Sequence, residues 1–218
     1  MKNDSRKKVD EVLALLDRHH QAFYAVADIA RETGHPVPMD TRGWSQIIVS
    51  VLTGITGLKN KKGADLIDGS DVKGANTWKA IDTPRFNGVI KAGTKAEHSG
   101  KLTSLDSVPY LFLVLWDVKS LGEHRCRIWC VRPMVDGEFR AMCKRWYDDK
   151  DSGKVKSDNF QLQPPRGQNT NRIHNSWGDL LYPLLFCAEQ KKDKFSLVTY
   201  DLDVLKSGLC TPLPQTTP

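Results

Sequence analysis

Asp65, Asp68, Asp71 and Lys73 fall within the nine residues Asp65-Leu66-Ile67-Asp68-Gly69-Ser70-Asp71-Val72-Lys73. Grouped carboxylates offer hard oxygen ligands to Mg²⁺, an ion that keeps several waters and binds through one or two acids plus a substrate phosphate. A water on such an ion becomes a competent nucleophile at neutral pH, and an adjacent lysine can position or deprotonate it, or balance charge building on phosphorus. The chemistry implied is metal-assisted hydrolysis of a phosphoester.

Asp68-Gly69-Ser70 is strong turn chemistry, and Leu66-Ile67 and Val72 favour strands, so the segment predicts two short antiparallel strands meeting at residues 68–70. Side chains alternate along a strand, which puts Asp71 and Lys73 on one face. A three-residue loop pairs Asp65 with Lys73 and brings Asp65 to that face; a two-residue loop at Gly69-Ser70 substitutes Asp68. Asp65 is preferred, because Asp68 is needed to turn the chain. Lys59, Lys61, Lys62, Lys73 and Lys79 surround the acids, which suits approach to a phosphate backbone.

The pattern resembles the PD-(D/E)XK nuclease superfamily, and its short spacing is most like that of type II restriction endonucleases. Asp65 stands for the first acid and Asp71-Val72-Lys73 for the acid, any residue and lysine that follow; Ala64 occupies the place of the family's proline. The resemblance implies that Asp65 and Asp71 bind Mg²⁺ and that Lys73 completes the catalytic set. It also implies an additional acid or amide, for which Asp68 and, from the helix before the motif, Gln46 are the candidates. The implied substrate is double-stranded DNA, cut at a palindromic site by a homodimer within a restriction-modification system.

A second segment, from Phe160 to Trp177, concentrates side chains that read base edges. Arginine pairs with guanine and asparagine or glutamine with adenine, while Pro164-Pro165 and Gly167 hold a loop clear of regular structure. Gln161, Gln163, Arg166, Gln168, Asn169, Asn171, Arg172, His174 and Asn175 are the expected DNA contacts there, joined by Lys61, Lys62 and Asn76 near the acids.

The elements that must hold these groups follow from periodicity. Val9, Val12, Leu13, Leu16, Phe23, Val26 and Ala30 recur at helical spacing over residues 7–33, with His19-His20 read as part of a polar helix face. A second helix runs from about Trp44 to Thr53, capped by Asp40-Thr41. Tyr110 to Asp117 is unbroken apolar sequence up to its last residue and predicts a central strand buried on both faces; Arg127 to Val131 is a further strand and Phe139 to Tyr147 a helix. The fold class expected is α/β, a mixed central β-sheet flanked by helices. One nuclease domain spans 1–210, with N-terminal helices (1–58), catalytic hairpin and core (59–150) and recognition-loop region (155–178), followed by a flexible tail at 211–218.

Composition agrees with this reading. The chain of 218 residues carries 32 Lys and Arg against 26 Asp and Glu, a net charge of +6 and a pI near 9.0, which favours a polyanionic partner. No apolar run approaches a membrane span, and a cytoplasmic location is expected. Five cysteines without Cys-x-x-Cys spacing argue for reduced, mostly buried thiols and against structural zinc. Gly54-Ile55-Thr56-Gly57 lacks the Lys-Ser/Thr ending of a nucleotide-binding loop, so no nucleotide cofactor is expected. The alternatives are a structure-specific repair or junction-resolving nuclease of the same superfamily and a non-catalytic sequence-specific DNA-binding regulator.

Overall fold

The computed structural model describes residues 2–32, 41–58, 63–78, 83–91, 102–119, 123–165, 170–192 and 194–211. Helices α1 (Lys2–Glu32) and α2 (Arg42–Thr53) precede β1 (Asp71–Asn76), β2 (Phe86–Lys91), a short 3-10 helix, β3 (Leu111–Val118) and β4 (His124–Val131). Then come α3 (Gly137–Asp151), β5 (Asn159–Leu162), β6 (Arg172–Asn175), β7 (Gly178–Leu181), β8 (Leu184–Lys191), β9 (Lys194–Tyr200) and α4 (Val204–Ser207).

The central sheet has the order β1-β3-β4-β8-β9, with β1 parallel to β3 and the other neighbours antiparallel. It is the mixed sheet expected. Strand β3 is interior, and its two faces feed two cores. Phe112, Val114 and Trp116 pack with Leu16 of α1 and Ile48 and Leu52 of α2; Leu111, Leu113 and Leu115 pack with Phe139, Met142 and Trp146 of α3. Two ribbons, β2-β5 and β6-β7, lie outside the main sheet. Among the described residues no helix is long and apolar enough to cross a membrane.

The catalytic hairpin is corrected. Leu66 makes an isolated antiparallel bridge to Gly57, and β1 takes β3 as its partner, in parallel, from Asp71↔Leu111 to Asn76↔Trp116. The apolar β3 offers β1 a six-residue ladder, whereas residues 65–67 offer too short a run. The link between the two is a compact turn. Asp68 grips it, its Oδ1 accepting from the Ser70 amide and its Oδ2 from the Ser70 hydroxyl, both at 2.9 Å. Gly69 turns it at φ +93°, where an added Cβ would lie 2.9 Å from the Ser107 carbonyl.

Other expectations shift by smaller amounts. Asp40 lies outside the described residues, and Thr41 caps α2 without its side chain, its carbonyl accepting from the Ser45 amide and hydroxyl. His19 is 5% exposed and packed among Trp44, Trp78 and Trp116, so it belongs to the core and not to a polar face. The tail begins one residue later than expected, since the Thr211 amide bonds the Leu181 carbonyl at 2.9 Å. Cys126, Cys130, Cys143 and Cys187 are buried free thiols and Cys210 is partly exposed.

Candidate active site

Helix α2, the 65–70 turn and strand β1 converge at one edge of the sheet. The left-handed Gly54 (φ +78°) ends α2. The chain then runs antiparallel to residues 65–67, with the Leu58 amide on the Asp65 carbonyl (2.8 Å) and the Ile67 amide on the Thr56 carbonyl (2.9 Å). This clip fixes Asp65 next to the start of β1. On its far face β1 meets α2 closely at Gly74, where an added Cβ would lie 3.0 Å from Ser45 Oγ.

Asp65 is 6% exposed, and both its oxygens are engaged. Oδ1 accepts from Gln46 Nε2 at 2.6 Å and lies 3.7 Å from Arg42 Nη2; Oδ2 accepts from the Val72 amide at 3.0 Å. Asp71 Oδ1 accepts from the same amide at 3.0 Å, so one N–H is shared between the two carboxylates. Lys73 Nζ pairs with Asp71 Oδ2 at 2.5 Å, with both side chains about one-fifth exposed at the rim. Burial pushes the Asp71 carboxyl up to about 6, and the adjacent Asp65 carboxyl adds to the rise against the pull of Lys73.

The structure therefore brings together Asp65, Asp71, Lys73 and Gln46, and it keeps Asp68 apart as a turn residue. Strand alternation correctly paired Asp71 with Lys73. Asp65 joins them through the Val72 amide instead of by cross-strand pairing. Asn76 is buried on β1 with Oδ1 bonded to the Trp78 amide at 2.7 Å, which holds the strand end and faces no solvent.

Of the expected DNA contacts, Lys61, Lys62, Arg166, Gln168 and Asn169 lie outside the described residues. Gln161 is on β5, and Arg172, His174 and Asn175 are on β6, so much of the segment read as a free loop is strand. Gln163 and His174 exchange two backbone hydrogen bonds, 2.7 and 3.1 Å, which join β5 to β6. Gln161, Gln163, His174 and Asn175 line a concave cleft of about 420 Å³, while Asn171 lines a separate one and Arg172 Nη1 pairs with Asp179 at 3.2 Å.

Two arginines escape sequence reasoning. Arg42 lies near the acids because α2 begins two residues before the helix signal. Arg127 sits 1% exposed on β4, with Nη2 on Asp117 Oδ2 (2.7 Å) and Nη1 on the Thr170 carbonyl (2.7 Å); Arg125 completes the buried pair with Asp117. An acid closing the apolar run at Asp117 and two arginines in the next strand were the available signal, since buried charges pair.

The family described as MamI restriction endonuclease matches residues 4–200. The type II restriction enzyme MamI of Microbacterium ammoniaphilum is 31% identical over 159 residues, which is 68% of this chain and 51% of that protein. The chain thus spans about half the length of the curated relative it matches. No solved structure matches. The acids, the lysine and the central sheet all lie within the matched residues, and this chain belongs to the MamI restriction endonuclease family.

Proposed function

We propose that the chain cleaves double-stranded DNA at a specific sequence as a Mg²⁺-dependent type II restriction endonuclease of the PD-(D/E)XK kind, acting as a homodimer in the cytoplasm. The observation that carries the reading is the convergence of Asp65, Asp71 and Lys73 on the sheet edge, two carboxylates sharing one amide with a lysine beside them.

The donor set fits the ion. Two half-hidden carboxylates crowd each other enough to lift the Asp71 pKa, and a divalent cation relieves that crowding. Among the described residues no group of three or more His, Cys, Asp or Glu side chains forms. That suits Mg²⁺, for which one or two acids plus substrate phosphate suffice. Asp65 and Asp71 would hold the ion. When bound, it lowers the pKa of a coordinated water and offsets charge on the phosphoryl oxygens.

The chain's own groups do the rest. Gln46 and the Val72 amide fix both oxygens of Asp65, so the carboxylate is oriented before substrate arrives. Lys73 Nζ, anchored on Asp71, takes up a proton from the attacking water or balances charge on the phosphate. Gln161, Gln163, His174 and Asn175 contribute to sequence recognition.

Plasmid digestion with Mg²⁺ or EDTA, beside the Asp71→Ala variant, tests this. Discrete fragments that require Mg²⁺ and vanish in the variant are expected. Cleavage confined to branched or mismatched DNA would favour a structure-specific nuclease, and binding without cutting a regulator.

A further inference from the structure

Strand β5 sorts its side chains by parity. Phe160 and Leu162 are fully buried in the core, so Asn159, Gln161 and Gln163 project to the other side, where all three line the 420 Å³ cleft. The volume lies at the small end of the about 300–1,000 Å³ range of ligand sites. Trp146, 1% exposed, contributes an aromatic surface. Trp177 contributes another and is held at three points. Its indole N–H donates to Asp149 Oδ2 (2.8 Å), its amide donates to Asn175 Oδ1 (2.9 Å), and its carbonyl accepts from Arg145 Nη2 (3.0 Å).

One acceptor in this cleft is unspent. Gln163 Oε1 is buried and has no hydrogen-bond partner among the described residues. A buried carbonyl left without a donor destabilises the empty protein, and a ligand N–H removes the penalty. A fixed aromatic surface, a row of amides and an orphan acceptor together select a flat ligand that carries N–H donors on its edge.

We infer that this cleft receives one nucleobase carrying an exocyclic amino group, adenine or cytosine, unstacked from the duplex. This rests on the double-stranded DNA reading proposed above. Bases within a stacked duplex present their edges at the floor of a groove, where protruding side chains reach them. The amides here line a concavity, which a stacked base cannot enter and an extrahelical base can. Trp177 supplies the stacking surface, Gln163 Oε1 accepts the amino N–H, and Asn159 and Gln161 complete the polar side.

The test uses a duplex that carries the site mapped by plasmid digestion, with Ca²⁺ in place of Mg²⁺ so that it is bound and not cut. Each adenine is replaced in turn by 2-aminopurine and each cytosine by pyrrolocytosine, whose emission rises on unstacking. A rise at one position on binding wild type is expected. Trp177→Ala should abolish it and weaken binding roughly tenfold or more. Gln163→Leu, which fills the same space without the orphan acceptor, should keep or raise thermal stability yet reduce the preference for that base at least about fivefold. Tight binding and normal cutting with no emission change at any position would overturn the inference while leaving the nuclease reading intact. No binding of the wild type to any duplex would overturn both.

Discussion

Gln46→Glu is the perturbation that probes the site most directly. The Gln46 amide donates at 2.6 Å to a carboxylate only 6% exposed, and hydrogen bonds to charged groups contribute about 1.5–3 kcal/mol. The glutamate removes that donor and sets a second negative charge near Asp65. At an effective dielectric near 20, two unit charges about 3.5 Å apart repel by about 4–5 kcal/mol. Gln46 is half-buried, so a glutamate there can swing outward or bind a proton, and a net loss of about 2–4 kcal/mol in EDTA is expected. Mg²⁺ should reverse the effect, because a third carboxylate beside Asp65 and Asp71 raises the affinity for the ion and ligand binding stabilises the folded state. Urea unfolding followed by tryptophan emission, with EDTA and with Mg²⁺, gives the two stabilities; Gln46→Leu serves as the control that loses the donor without adding charge. The reasoning fails if Gln46→Glu matches wild type in EDTA, or if Mg²⁺ stabilises it no more than it stabilises wild type.

Two further outcomes follow from buried polar groups. Burial, with a smaller contribution from His20, lowers the His19 pKa from 6.5 to about 4, so the folded state holds the ring neutral while the unfolded chain takes a proton. Its share of stability is complete above pH 6.5 and is lost as pH falls toward 4, by about 3 kcal/mol in all. The difference between wild type and His19→Phe in unfolding free energy should therefore change by that amount between pH 7.5 and 4, and parallel pH curves would contradict it. Asp136, 1% exposed, caps α3 through the Phe139 amide (3.1 Å) and accepts from the Tyr182 hydroxyl (2.6 Å) and the Cys210 amide (3.2 Å). Asp136→Ala orphans all three donors and should lower stability by about 3–5 kcal/mol by calorimetry or denaturant titration.

The elements that bury a continuous apolar stripe were legible in the residues alone. β3 announces itself because Leu111 to Trp116 is buried on both faces, and α1 and α3 because their apolar spacing matches one turn of helix. Strand partnership was not legible. The turn signal at Asp68-Gly69-Ser70 is real, since Asp68 and Gly69 do turn the chain, yet a turn does not dictate that its two arms pair. The arms separate because Leu66 finds Gly57 while β1 finds the longer apolar β3, and that choice depends on residues about forty positions away. Ribbon β2-β5 was hidden for a related reason: its strands carry few apolar residues, and only Phe86, Phe160 and Leu162 reach the core.

The site was more legible than the topology around it. Asp71 and Lys73 are two residues apart on one strand, so their common face follows from alternation whichever strand lies beside them. Asp65 needed only the chain to reverse between it and β1, which Gly69 and the Asp68 side chain ensure. Gln46 illustrates the middle case: its place in a helix leading to the motif made it a candidate, but its bond to Asp65 depends on how closely α2 sits on β1. That distance is governed by Gly74, where the lack of a side chain lets Ser45 approach and accept the Trp116 indole N–H at 3.0 Å. A helix seated farther out would move Gln46 and Arg42 away from the acids together. The groups that could be named in advance are therefore those fixed by local chain geometry, and those that could not, Arg42 and Arg127 among them, owe their positions to packing between elements distant in sequence.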